Sequence, residues 1–226
     1  MQLAIVGYGK MGHMIETLAP SHGFSGIVTI DVHDSLAMAA GASAAIEFST
    51  PEAAPQNLRK LAEMRVPTVC GTTGWFNQLP EIKAAYDATG TPLVWSPNFS
   101  IGVNIFFRLA EEAARLMNNH ADYGAWAWEI HHSAKKDAPS GTLLKAVERM
   151  AQAGFKRPID VASNRSGAIP GTHEIGFDSV ADTITLRHTA RSREGFARGA
   201  LEAARWLTDQ PEGKQGVHEF SRILFG

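Results

Sequence analysis

Gln2-Leu3-Ala4-Ile5-Val6-Gly7-Tyr8-Gly9-Lys10-Met11-Gly12 is a short apolar run ending in a GxGxxG pattern, and the stretch His13 to Leu18 after it is compatible with a helix. Strand, glycine turn and helix in that order give the motif its meaning. The first glycine permits the tight turn, the second lets the backbone approach a pyrophosphate, and the third lets helix and strand pack closely. The helix start then presents free N–H groups to phosphates. A second apolar run, Ile27 to Ile30, ends at Asp31, where a carboxylate can accept hydrogen bonds from adenosine ribose hydroxyls. The plain alternative is a tight turn followed by a turn-forming aspartate. Position, context and spacing agree better with a dinucleotide site. Asp31-Val32-His33-Asp34 contains no Arg or Lys, so a 2′-phosphate would meet negative charge. NADH is therefore the expected cofactor, with NADPH use left open through His33.

The alternation continues outward from this motif. Ala44 to Phe48 reads as a strand, and Ser49-Thr50-Pro51-Glu52 as the start of a helix running to about Met64, with Pro at its first position. Val66 to Cys70 is the next strand, followed by Gly71-Thr72-Thr73-Gly74, a helix over Leu79 to Ala88 and a strand over Pro92 to Ser96. This order predicts an α/β fold with a Rossmann-type, doubly wound parallel sheet. Its ligands belong beyond the C-terminal strand ends, at Gly7, Asp31, Ser49, Gly71-Thr72-Thr73 and Ser96-Pro97-Asn98-Phe99. The connection from Asp31 to Ala44 is too short for a full crossover helix, so that unit is expected to be truncated.

The second half differs in texture. A helix-period pattern (Ile105, Leu109, Ala113, Leu116) runs from Ile101 to about Asn119. Tyr123 to His131 then alternates, with Trp126, Trp128 and Ile130 on one face and Ala125, Ala127 and Glu129 on the other. Further strands are read over His173 to Asp178 and Thr183 to Thr189, and Lys156 to Pro170 reads as a long irregular loop. An α+β domain with an open mixed sheet and helices on one face is expected. The two tryptophans are read as core under those helices, with a subunit interface as the alternative. Glu194 to Leu207 reads as a helix and Gly216 to Phe225 as a closing segment returning to the first domain. The expected division is residues 1–100, completed by 194–226, for the dinucleotide and 101–193 for substrate and assembly.

The totals bound the function. The chain has 226 residues, 44% hydrophobic and 19% charged, with a formal net charge of −2, which gives no basic surface for nucleic acid. The single cysteine, Cys70, excludes an intrachain disulfide and reads as a small buried hydrophobe. No apolar run reaches the ~18 residues of a membrane span. There is no basic-then-apolar leader, and the expected location is cytoplasmic.

Glu129-Ile130-His131-His132-Ser133-Ala134-Lys135-Lys136-Asp137-Ala138-Pro139-Ser140-Gly141-Thr142 concentrates the chemistry. Adjacent histidines in a strand point to opposite faces, which gives them different tasks unless the strand has ended. Ser140 is a suitable N-cap for the helix Leu143 to Met150. The N–H groups of Gly141 and Thr142 then lie at the positive end of its dipole, a place that binds a carboxylate. Lys135 adds a cation and a histidine can move a proton, which suits a small dicarboxylate substrate. The plainer readings are a structural or solvated histidine and, for Lys136, a solvated charge. No metal is expected, because adjacent histidines are poorly spaced as ligands.

This segment resembles the signature of the 4-hydroxy-tetrahydrodipicolinate reductase (dihydrodipicolinate reductase) family: Glu129, His131, His132, Lys135 and Asp137 to Thr142 match it. Phe48-Ser49-Thr50-Pro51-Glu52-Ala53, Gly71-Thr72-Thr73-Gly74, Pro97-Asn98-Phe99-Ser100-Ile101-Gly102-Val103-Asn104, Arg165-Ser166-Gly167, Gly171-Thr172-His173 and Phe196-Ala197-Arg198-Gly199-Ala200 are similar too, so the resemblance spans nearly the whole chain. It implies reduction of a cyclic imine dicarboxylate by NAD(P)H on the diaminopimelate route to lysine, in a homotetramer built through the second domain's sheets. It further implies that His131 is the proton donor/acceptor and Lys135 the proton donor, and that His132, Ser140, Gly141 and Thr142 bind substrate. Gly7, Tyr8, Gly9, Lys10, Met11, Gly12, Asp31, Ser49, Gly71, Thr72, Thr73, Ser96, Pro97, Asn98 and Phe99 would bind the cofactor. Closure about Ser100 and Ala190 would accompany binding.

The chain departs from the family pattern in being shorter after Asp31 and in the later loops. It also has Val32 where an arginine often follows the ribose-binding acid. Another nicotinamide dehydrogenase on the same fold, or a non-catalytic NAD-binding regulator, would share the cofactor residues. The dehydrogenase would have no need of Asp137 to Thr142, and the regulator would bind cofactor without turnover.

Overall fold

The computed structural model describes residues 1–209 and 214–226. The chain opens with β1 (Gln2–Val6), α1 (Lys10–Leu18), β2 (Gly26–Ile30), β3 (Ala44–Glu47), α2 (Ala54–Glu63), β4 (Thr68–Cys70), α3 (Leu79–Thr89) and β5 (Pro92–Trp95). There follow α4 (Ile101–Met117), β6 (Gly124–His131), α5 (Gly141–Gln152), β7 (Ile159–Arg165), β8 (Thr172–Asp178) and β9 (Thr183–Thr189). It closes with α6 (Glu194–Thr208), β10 (Gly216–Glu219) and α7 (Phe220–Phe225). Two compact units result: Met1–Ile101 with Arg193–Gly226, and Gly102–Ser192. Among the described residues no helix is long and apolar enough to cross a membrane.

The first unit is a six-stranded sheet in the order β10-β5-β4-β3-β1-β2, parallel at every pairing. Its inner strands are buried along nearly their whole length, as a sheet covered on both faces requires. Leu3, Ile5, Ile46, Val69 and Val94 pack with Ile15, Leu201, Leu207 and Phe220 of α1, α6 and α7. Cys70 and Leu93 pack with Leu58, Ile82 and Tyr86 of α2 and α3. β1 lies between β2 and β3, so the chain reverses its direction across the sheet there, the place where such folds take ligands. The β2–β3 connection holds only a 3-10 turn, Leu36–Ala39, in place of a crossover helix. β10 extends the sheet beyond β5.

One boundary moves. α2 was expected to begin at Pro51, but Thr50 to Ala53 forms a hydrogen-bonded turn and the helix opens at Ala54, with Pro55 in its first turn. Proline has no N–H, so a helix begun at Pro51 would lack the bond from residue 55 to residue 51.

The second unit is a four-stranded mixed sheet, β7-β6-β8-β9, in which β7 runs parallel to β6 and the other pairs are antiparallel. The loop expected over residues 156–170 is therefore corrected, since it contains an edge strand. Asp160, Ala162 and Asn164 on one face and Ile159, Val161 and Ser163 on the other alternate too weakly to announce it. The reading of Trp126 and Trp128 as core under the helices is also overturned. α4 and α5 cover the opposite face, where Ala125 and Ala127 let Phe106, Phe107, Leu143 and Met150 approach the sheet. Trp126 lies across Gly176 on β8, where a Cβ would come within 2.2 Å of its ring. α4 buries Val103, Phe106, Phe107, Ala110 and Ala114, and the stripe Ile105, Leu109 and Leu116 faces outward.

Candidate active site

In the first unit the glycine motif joins β1 to α1. Gly7 has φ +92°, and a Cβ there would lie 2.3 Å from the Phe48 carbonyl oxygen, so the close approach of β1's end to the segment after β3 requires glycine. A Cβ on Gly12 would lie 2.5 Å from the Gly7 oxygen, so this glycine keeps helix and turn together and itself lines none of the clefts. Three clefts follow the C-terminal strand ends. One of about 400 Å³ is bordered by Gly7, Tyr8, Gly9, Asp31, Asp34 and Ser49. The next, about 470 Å³, is bordered by Lys10, Met11, Ser49, Gly71, Thr72, Thr73 and Arg193. The third, about 220 Å³, is bordered by Met11, Ser96, Pro97, Asn98, Phe99 and Arg193. Phe48 borders all three.

Charge is divided among these clefts. The first has the carboxylates of Asp31 and Asp34 and neither lysine nor arginine; the second has Lys10, Arg193 and the start of α1. Asp31 Oδ1 accepts from Val32 N at 2.9 Å, and Asp34 Oδ2 accepts from Asp31 N at 2.9 Å, so the two acids fix the end of β2 together. Glu47, at the end of β3, is fully buried. It accepts from Ser49 N at 3.2 Å, from the Ser49 hydroxyl and from Cys70 Sγ at 3.3 Å. Burial pushes the Cys70 thiol well above its ordinary value, aided by Glu47, so this cysteine is an inert thiol. Glycines that admit a backbone, an acid pair at one end and cations in the middle together suit a dinucleotide.

In the second unit β6 ends at His131, which is 7% exposed, while His132 is half-buried. The Glu129 side chain is fully buried. Its Oε1 accepts from Arg165 Nη2 at 2.8 Å and Ser140 N at 3.0 Å, and its Oε2 meets His131 Nδ1. Burial opposes the Glu129 charge, but Arg165, the Ser140 N–H and His131 outweigh it and hold the carboxyl below its ordinary value. Burial lowers His131 and outweighs the pull of Glu129. His173, with its ring centroid 5.0 Å from that of His131 and its Nε2 3.2 Å from Ser140 Oγ, is lowered to about 4 by burial and by the neighbouring histidine. Glu129, His131 and His173 offer ligand atoms within 4.8 Å of one another. The Arg165 guanidinium on Glu129 supplies that carboxylate with a positive partner already and makes the trio a poor cation site.

The loop after β6 carries Lys135, whose Nζ lies 2.7 Å from Asp137 Oδ1. Lys135 and the Gly141 N–H both hold the Asp137 carboxyl below its ordinary value, Lys135 more strongly. Ser140 caps α5, accepting from Leu143 N at 3.3 Å. Gly141 at the helix start is exposed, Thr142 is half-buried and Lys136 is exposed.

The structure thus gathers the expected residues within each unit: fourteen of the fifteen read for the cofactor line the three clefts, Gly12 being the exception, while Lys135 and Gly141 meet at Asp137 and His131 and Ser140 meet at Glu129. Sequence reasoning missed Arg193, Phe48 and Glu47 as parts of this site. Arg193 lies far along the chain from Met11, and only the return of α6 to the first sheet brings it back; no local spacing announces that. The roles of Glu129 and Arg165 were also missed, although both stand in quoted motifs.

Comparison with known proteins agrees with this geometry. The family model described as dihydrodipicolinate reductase, N-terminus, matches residues 1–99, and the one described as dihydrodipicolinate reductase, C-terminus, matches residues 102–224. The chain is similar to the 4-hydroxy-tetrahydrodipicolinate reductase of Christiangramia forsetii, with 32% identity over 99% of this chain and 98% of that protein. It is also similar to that of Anaeromyxobacter dehalogenans, with 36% identity over 86% of this chain and 77% of that protein. A dipicolinate-bound dihydrodipicolinate reductase from Paenisporosarcina sp. TG-14 shares the fold, with TM-score 0.78 and 21% identity over 99% of each chain. Both halves of the sequence therefore point the same way, and the chain belongs to the dihydrodipicolinate reductase family.

Proposed function

We propose that this chain carries out its family's reaction, the NAD(P)H-dependent reduction of 4-hydroxy-tetrahydrodipicolinate to tetrahydrodipicolinate for diaminopimelate and lysine synthesis, with the residues described above. The bound nicotinamide supplies the hydride. The chain's own groups hold the substrate's carboxylates, stabilise the negative charge that develops on its ring, and deliver a proton. Lys135 is assigned as proton donor, His131 as proton donor/acceptor, His132 as a substrate contact, and Ser140 to Thr142 as the carboxylate cradle. One observation carries this assignment: Lys135 Nζ and the Gly141 N–H converge on a single carboxylate, that of Asp137. A cradle that holds the protein's own carboxylate has the charge and donors to hold a substrate's.

For the cofactor, the clefts are assigned in order to adenosine, pyrophosphate and nicotinamide. Asp31 and Asp34 border the first, and its lack of any lysine or arginine favours NADH over NADPH. Lys10 and Arg193 border the second, where they meet the phosphates common to both cofactors. Steady-state kinetics with each cofactor test this reading. A higher kcat/KM with NADH supports it, and a clearly higher kcat/KM with NADPH refutes the preference.

We also propose a cytoplasmic homotetramer assembled through the helix-free face of the second unit's sheet. Trp126, Trp128 and Ile130 stand half-buried on that face. Aromatic residues are enriched where subunits meet.

A further inference from the structure

The Glu129–Arg165 pair is not accounted for by the roles above. Its geometry exceeds what a stabilising ion pair needs. Arg165 spends its guanidinium on four acceptors: Glu129 Oε1 at 2.8 Å, the Lys135 carbonyl at 3.3 Å from Nε, the Asn164 carbonyl at 2.6 Å from Nη1, and the Asp137 carbonyl. Two of these lie at and just beyond Lys135, so one planar fork pins the backbone that carries the ammonium group. Glu129 in turn ties Ser140 N, the cap of α5, to His131 Nδ1. A buried ion pair is weak evidence for stability as such, because desolvation offsets most of its attraction. Its value lies in what it holds in place.

We propose that Glu129 and Arg165 act as a positioning pair for this site. Glu129 fixes the His131 tautomer, and Arg165 fixes the loop that presents Lys135. The inference rests on the reading of His131 and Lys135 as proton-transfer groups. A neutral imidazole carries one N–H, and a carboxylate against Nδ1 keeps the proton there, leaving the Nε2 lone pair as acceptor. That nitrogen lies beside Gly171, where a Cβ would come within 2.7 Å of it, so glycine at 171 leaves the ring its place. Arg165 cannot be replaced by lysine without loss, because an ammonium group lacks the planar fork that reaches several carbonyls at once.

Two variants separate the two halves of the pair. Glu129→Gln keeps the shape and an acceptor for Ser140 N and Arg165, but can present an amide N–H to His131 Nδ1. Nitrogen-15 NMR of histidine-labelled protein is expected to show His131 passing from the Nδ1–H to the Nε2–H tautomer, with kcat falling about 10²-fold and the Kd for NADH unchanged. Arg165→Lys is expected to leave the His131 tautomer as it is while raising substrate KM and lowering kcat. An unchanged His131 tautomer in Glu129→Gln, or wild-type kinetics in Arg165→Lys, overturns the proposal. Should Glu129→Gln fail to fold, Arg165→Lys carries the test. The tautomer is read without substrate, so a parent protein without turnover would sink the proposed function while leaving Glu129's part to be judged on its own.

Discussion

Lys135 Nζ lies 2.7 Å from Asp137 Oδ1, so the cation assigned to substrate is already held by a carboxylate two residues along the same loop. Asp137 also takes the Gly141 N–H. A substrate carboxylate must displace this side chain to use either donor. Asp137→Asn keeps the shape and removes the competing charge. Its substrate KM is expected to fall, by about fivefold at most because the pair is half-exposed, with the Kd for NADH unchanged. Initial-rate kinetics check this; a raised KM would mean that Asp137 assists binding.

Gly199 on α6 lies where a Cβ would come within 1.8 Å of the Phe99 carbonyl oxygen. That contact seats α6 against the turn over Ser96 to Phe99, which borders the third cleft. Backbone cannot yield as a side chain can, so Gly199→Ala is expected to cost about 1–3 kcal/mol of stability and to weaken NADH binding. Denaturant unfolding and a fluorescence titration with NADH measure the two effects.

His173 predicts the direction of acid sensitivity. Its folded-state value near 4 lies below the ordinary 6.5, and His131 and His188 are lowered too, each chiefly by burial. Between those two values the unfolded chain binds the proton that the folded state refuses. Stability is therefore full above pH about 6.5, declines as the pH falls toward 4, and gains no further penalty from His173 below that. His173 alone is expected to remove about 2 kcal/mol between pH 7 and pH 5. Urea unfolding at the two pH values checks this. His173→Asn should flatten the slope, and an unchanged slope would show that the loss arises elsewhere.

Trp126 and Trp128 stand on the sheet face that α4 and α5 leave uncovered. Introducing charge there by Trp126→Asp with Trp128→Asp is expected to reduce the mass seen in sedimentation equilibrium from a tetramer toward smaller species, because an unpaired buried charge is costly at an interface. A tetramer that persists in the double variant would place the contact on another surface.

The first unit was legible because its signals are local. The apolar run Gln2–Val6, the glycines after it and Asp31 at the end of β2 each declare themselves within a few residues. The second unit was less legible wherever periodicity had to choose a face. Trp126 and Trp128 outrank Ala125 and Ala127 in apolar content, yet the alanines face the helices because Phe106, Phe107 and Leu143 bring the bulk from the other side. β7 was hidden because Asp160 and Asn164 interrupt a strand that only its parallel partner completes. In the site, Lys135 and Ser140 could be read from spacing, whereas Arg165 and Arg193 act across long separations that only the fold closes.

The central claim is that this chain reduces 4-hydroxy-tetrahydrodipicolinate with a proton from the loop after β6. The most direct measurement is NADH consumption with freshly generated substrate, by the parent protein and by Lys135→Ala, alongside the Kd of each for NADH. The account expects turnover by the parent, a fall in kcat of about 10²-fold or more in Lys135→Ala, and equal NADH affinity. No turnover by the parent, or a wild-type kcat in Lys135→Ala, would contradict it.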